Sequence, residues 1–283
     1  MNVAQACREY LAEQRRLLRA GDPAALSPRT IRDYTEALER RIIPAFGSMR
    51  CSAFRPTHAA QYLLRCRRES RGVRGNREIA ALASAMNHAL ALGVVDQNPC
   101  RGVRRNKERP RTRAVSISEL NALLELAERR GGAAHMVALL ATMTALTGRR
   151  RAEIRTLRRD QITDEGVLIT DAKNRAGRRY LIRWSPLLRK VVETAARLRY
   201  SPEVAFPTRT GGPYTDAGFK ALWNRLMREY EAQTGDRFRA HDLRALYVSE
   251  MLDRGADPHT HANSATMKRV YDRRRTIEVE PLA

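Results

Sequence analysis

Between His241 and Tyr271 the chain places a His and an Arg three residues apart, a second His at 261, and a Tyr ten residues beyond it. Positions i and i+3 of a helix share a face, so His241 and Arg244 can address one target. A group that moves protons beside a fixed cation suits a site that works on a phosphate. Tyr271 stands among Lys268, Arg269, Arg273, Arg274 and Arg275, a cluster that would draw an anionic backbone toward the phenol. Upstream, Arg150 and Glu153 stand three residues apart on the helix expected after the Thr147-Gly148 turn. That carboxylate could orient the guanidinium while leaving donors for a phosphate. The same spacing also describes a surface ion pair worth little.

The elements that must carry these residues are mostly helical. Val3, Cys7, Tyr10, Leu11, Leu17 and Leu18 give a helical rhythm over residues 1–20. Ser27 and Pro28 suit the cap and first turn of a second helix, with Ile31, Tyr34, Leu38 and Ile42 on its apolar face. A third opens at Thr57, and Asn76 is a candidate cap for a fourth that runs to Gly93. Helices packed within about 100 residues predict a small all-helical domain over 1–100. Residues 101–115, basic and without apolar periodicity, read as a linker or as a strap along a polyanion. Ser116 and Glu119 form a capping-box pattern, and an apolar helix from His135 leads into the Thr147-Gly148 turn. Val167–Trp184 reads as a strand, a basic turn and a returning strand, followed by helices over 187–198 and 215–232.

Composition narrows the partner. The 53 Lys+Arg against 31 Asp+Glu leave a net charge of +22, a surplus that favours nucleic acid ahead of an anionic membrane. No apolar run reaches 18 residues and no charged-then-apolar leader opens the chain, so a soluble, cytoplasmic protein is expected. Cys7, Cys51, Cys66 and Cys100 lack any CxxC pairing, which argues against a zinc site or a disulfide framework. His58 and His88 read as packing residues, and His135 has no ligand partner at helical spacing.

Taken together, these stretches resemble the tyrosine recombinase family, the phage-type integrases. The family's T-G-x-R-x-x-E-x-x-x-L motif reads here as Thr147, Gly148, Arg150, Glu153 and Leu157, its H-x-L-R motif as His241-Asp242-Leu243-Arg244, and its late His and Tyr as His261 and Tyr271. Asn76–Val103 also resembles the closing segment of the family's N-terminal core-binding domain. The resemblance implies a mainly α fold with a small antiparallel β-sheet. It divides the chain into a core-binding domain at 1–100, a linker at 101–115, an α-rich catalytic domain at 116–275 and a tail at 276–283. It also implies a site-specific recombinase of a mobile element, working on double-stranded DNA as a tetramer, without cofactor or metal. An accessory DNA-bending protein is a further partner the family admits.

In that family the Tyr attacks the scissile phosphate and forms a 3′-phosphotyrosyl link. By resemblance Tyr271 takes that part, Arg150 and Arg244 hold the nonbridging oxygens, and His241 moves the phenol's proton. Lys173 protonates the leaving 5′-oxygen and His261 hydrogen-bonds the phosphate. Two departures stand out: Asn174 follows Lys173 where the family has Thr, and the segment from Gly255 to His261 takes only six steps. The second leaves two readings open, an active recombinase and a DNA-binding remnant whose chemistry is lost to the shortening. A type IB topoisomerase shares the phosphotyrosine chemistry, and the two Arg motifs argue against a plain helix-turn-helix regulator.

Overall fold

The computed structural model describes residues 1–171, 178–260, 267 and 270–273. They divide into two compact units, Met1–Arg109 and Pro110–Ala283. The fold is mainly helical with one two-stranded antiparallel sheet, in keeping with the sequence expectation.

The first unit holds α1 (Val3–Arg19), α2 (Pro28–Ala37), α3 (Ile43–Phe46), α4 (Pro56–Arg68) and α5 (Gly72–Ala91). The first two begin where local chemistry favours it. Asn2 and Gln5 form a reciprocal capping box on α1, and Ser27 caps α2 with Pro28 at its first position. A single wide π-turn, Leu38–Ile42, continues the axis of α2 and keeps Leu38 and Ile42 fully buried. The start of α5 differs from the expected cap: the helix begins at Gly72, and Asn76 lies inside it, 7% exposed. Its amide donates to Asn106 O and Glu108 Oε1, and its side-chain oxygen accepts from Asn106 N. Pairing with a distant backbone satisfied that side chain better than capping did. A buried acid, Glu78, accepts from Tyr62 Oη at 2.7 Å and pairs with Arg71.

The second unit is built on α7 (Gly132–Thr147), whose sequence is apolar around its whole circumference and whose residues are buried on nearly every side. Around it lie α6 (Ile117–Arg130), α8 (Arg151–Arg155), α9 (Pro186–Leu198), α10 (Asp216–Thr234) and α11 (Asp242–Asp253). The Ser116–Glu119 capping box is present. Strands β1 (Gly166–Thr170) and β2 (Arg179–Arg183) pair from Gly166↔Arg183 to Thr170↔Arg179, with Val167 and Ile169 turned into the core. Among the described residues no helix is long and apolar enough to cross a membrane.

Candidate active site

The central helix α7 ends at Gly148, which adopts φ +61°. Glycine is the ready choice for this left-handed position. Space is equally restrictive: a Cβ there would fall 2.2 Å from Tyr247 Cδ1 and 2.8 Å from Thr260 Cγ2. A Gly148→Ala substitution should therefore cost about 2–4 kcal/mol, combining left-handed strain with overpacking. Urea unfolding of the purified variant checks this.

Two arginines leave the turn in different directions. Arg149 is 4% exposed; it stacks over the Tyr180 ring of β2 at 4.0 Å and donates to His259 O at 2.7 Å. Arg150 is the capping residue ahead of α8, rather than a residue within it. That extended position brings its guanidinium onto Glu153 at 2.9 Å and also onto Asp171, at the end of β1. The Glu153 side chain is only 2% exposed, so the pair is a buried one and not the surface pair that spacing alone allowed.

His241 and Arg244 come from the first turn of α11, with His241 as its capping residue. Arg244 is 1% exposed and donates to Thr260 O at 2.6 Å. Together, Arg149 and Arg244 hold the consecutive carbonyls of His259 and Thr260. They therefore pin the short segment that leads from Gly255, and His259 accepts a positive φ of 46° within it. Burial lowers the Arg244 guanidinium to about 10, and the nearby Arg150 and Arg149 cations push in the same direction. Concentrated positive charge in a dry site prefers an anion over water.

Tyr271 reaches this site. Its Oη lies 3.0 Å from His241 Nε2, and the Arg244 guanidinium sits 5.5 Å from its ring centroid. Lys173 and His261 lie outside the described residues. Of the expected site residues, the structure thus brings together Arg150, His241, Arg244 and Tyr271. Spacing did not point to Arg149, Asp171 or Asp242, and it grouped Arg273 with the cations that would draw DNA, whereas that side chain is buried against Asp242; these residues hold the site groups in place through partners remote in sequence. Among the described residues no group of three or more His, Cys, Asp or Glu side chains could hold a metal ion.

Packing around the ring, followed by the Arg244 charge, lowers the His241 pKa below its ordinary 6.5. The neutral form, able to accept the phenol's proton, therefore persists into mildly acid solution. Stability from this histidine is present above about pH 6.5 and is lost as pH falls through the lower folded value. If His241 is the base, the acid limb of a cleavage pH–rate profile should lie below 6.5 and disappear in His241→Gln.

Over its full length the chain superposes on a lambda integrase dimer bound to a COC′ core site, with a TM-score of 0.79 at 16% identity and all of both chains covered. A lambda integrase tetramer bound to a Holliday junction matches with a TM-score of 0.78 at 15% identity, over 99% of this chain and 80% of that one. The Tn1549 transposon integrase in complex with circular intermediate DNA matches with 0.71 at 14% identity, over 95% of each. No curated protein sequence matches the chain. At such identities the superpositions establish the fold. Residues 114–274 match the phage integrase family across more than half the chain, spanning both Arg motifs and the late Tyr, and the chain belongs to that family, the tyrosine-type site-specific recombinases of DNA.

Proposed function

We propose that this chain cleaves and rejoins DNA strands through a 3′-phosphotyrosyl intermediate on Tyr271. The observation that carries the proposal is the placement of the Tyr271 hydroxyl 3.0 Å from His241 Nε2, with the buried Arg244 guanidinium beside its ring. The short segment before His261 does not keep the phenol from that pair.

In the proposed step Tyr271 Oη attacks the scissile phosphorus and its proton passes to His241. The bond from phosphorus to the 5′-oxygen breaks, and Lys173 supplies that oxygen with a proton. Arg150 and Arg244 balance the charge that builds on the nonbridging oxygens, and His261 donates to the same phosphate. The covalent link keeps the energy of the broken bond, so attack by an incoming 5′-hydroxyl reverses the step without a nucleotide cofactor. Exchange between two duplexes engages four such sites, which calls for a tetramer on DNA. The lambda integrase tetramer on a Holliday junction has the same fold. The expected setting is the cytoplasm, on a mobile element's DNA, with an accessory DNA-bending protein as an optional partner. Residues 1–100 would bind the duplex as the core-binding domain, with 101–115 as the strap, 116–275 as the catalytic domain and 276–283 as the tail.

Covalent capture tests the proposal. The protein is mixed with nicked suicide duplexes tiled from the DNA flanking its own gene. A denaturation-resistant adduct that leaves a free 5′-hydroxyl is the expected result. Retarded bands without adduct on any tile would instead identify a DNA-binding remnant. Relaxation of supercoiled plasmids of unrelated sequence would point to a topoisomerase.

A further inference from the structure

The second residue of the His-Asp-Leu-Arg motif is a carboxylate that the proposed reaction does not use. Asp242 is 1% exposed and accepts three hydrogen bonds: from Arg273 Nη1 at 2.9 Å, Arg111 Nη2 at 3.1 Å and Arg239 N at 2.9 Å. Arg273 is itself buried, with a side chain 5% exposed, and it follows Tyr271 by two residues. Its guanidinium also donates to Arg113 O, and its backbone N donates to Ser249 Oγ at 3.1 Å. The first turn of α11 thus meets the Tyr271 segment at three points. His241 faces the hydroxyl, Arg244 faces the ring, and Asp242 grips the chain just beyond.

A buried ion pair adds little net stability over a well-packed apolar pair, but it tolerates only one arrangement. Here that arrangement concerns the segment that carries Tyr271, whose hydroxyl loses rate steeply when misplaced by about an ångström from its line of attack. Arg111 and Arg113 belong to the basic stretch ahead of α6, so the same carboxylate also gathers that stretch. One carboxylate faces two guanidiniums. Arg273 is enclosed, whereas the Arg111 side chain stays 40% exposed.

We propose that Asp242 is a positioning residue for the nucleophile: through Arg273 it sets where the Tyr271 hydroxyl stands, and through Arg111 it ties that position to the basic strap. The proposal rests on Tyr271 being the nucleophile, and its test separates the two claims.

The full-length protein is prepared with 3-fluorotyrosine at position 271, in the parent and in Asp242→Asn, Arg273→Met, the double variant, Arg273→Lys and Arg111→Gln. The fluorine resonance without DNA is expected to move alike in Asp242→Asn and Arg273→Met, no further in the double, and less in Arg111→Gln. With ordinary tyrosine, single-turnover adduct formation at saturating protein should slow about 10–100-fold in each of the first two, the scale of loss for a misplacement near one ångström. DNA affinity should change by less than about two-fold, since no phosphate contact is removed. The double variant should be no slower than the slower single, and Arg273→Lys should recover part of the rate. An unmoved fluorine line, losses that multiply in the double variant, or weaker DNA binding at an unchanged rate would each overturn the proposal. An unmoved line in Arg111→Gln alone would remove the strap from it. If Asp242→Asn does not fold, the contrast between Arg273→Met and Arg273→Lys decides. If the parent forms no adduct, the recombinase reading fails, while the fluorine line still reports whether Asp242 holds Tyr271.

Discussion

A Tyr271→Phe variant is expected to bind duplex DNA as the parent does and to form no covalent adduct with it. The substitution removes one oxygen and keeps the ring. The packing of that ring against the Arg244 guanidinium is retained, as are the backbone contacts between Tyr271 O and Ser249 Oγ and between Arg273 N and Ser249 Oγ. What disappears is the hydroxyl facing His241 Nε2. Among the described residues no other tyrosine hydroxyl is hydrogen-bonded to His241. Tyr247, the nearest in sequence, packs against the Gly148 turn, and burial raises its pKa above the ordinary value. Gel retardation and denaturing gels run side by side read both halves of the expectation. An adduct that survives Tyr271→Phe would move the nucleophile elsewhere.

The second large effect is expected at Arg244, where activity and stability should part company. Arg244→Gln removes the buried cation proposed to hold a nonbridging oxygen, and loss of one such donor costs about 10²–10³-fold in rate. In the DNA-free protein the same cation is a burden. Burial lowers it from 12.5 to about 10, which corresponds to roughly 3 kcal/mol disfavouring the charged form on folding. The sign follows from the direction of the shift. The penalty is fully present below about pH 10 and fades only as pH rises toward the unfolded value. Against it stands the hydrogen bond to Thr260 O, worth about 1.5–3 kcal/mol with a charged donor. The expected outcome is a melting temperature within a few degrees of the parent, accompanied by a collapse of adduct formation. DNA should stabilise the parent against heat more than the variant, because a phosphate relieves a penalty that the variant lacks. Parallel melting curves with and without duplex make the comparison. A variant that melts far below the parent would show Arg244 to be chiefly a structural residue.

Much of the architecture follows from rules that act within a few residues. Ser27-Pro28 and Ser116–Glu119 mark helix starts because a side-chain oxygen satisfies backbone donors three residues away. The predominantly apolar character of Gly132–Thr147, broken by His135 and three threonines, suits a helix buried on nearly every side, and such a helix becomes the centre of its unit. The Thr147-Gly148 turn was legible for the same reason, since a left-handed residue ends a helix most cheaply as glycine. The motif spacings identified the residues that meet at the site, because His241 and Arg244 share one turn of one helix.

Distance in sequence limited the rest. Asn76 has the chemistry of a cap, but the backbone of Asn106, thirty residues away, competes for its side chain and wins. Arg150 looked like a residue within a helix. In the structure it caps one, and its second carboxylate, Asp171, arrives from the end of a strand. Six steps from Gly255 to His261 gave no sign that Arg149 and Arg244 would anchor consecutive carbonyls there, one of them across 110 residues. Nor did the Asp of His-Asp-Leu-Arg suggest a buried carboxylate shared by Arg111 and Arg273, which lie on opposite sides of it along the chain. Caps and periodicity are settled by short-range hydrogen bonding and by which face meets water. The partner of a buried charge is settled only when packing closes, because the cost of leaving it unpaired is set by everything that surrounds it.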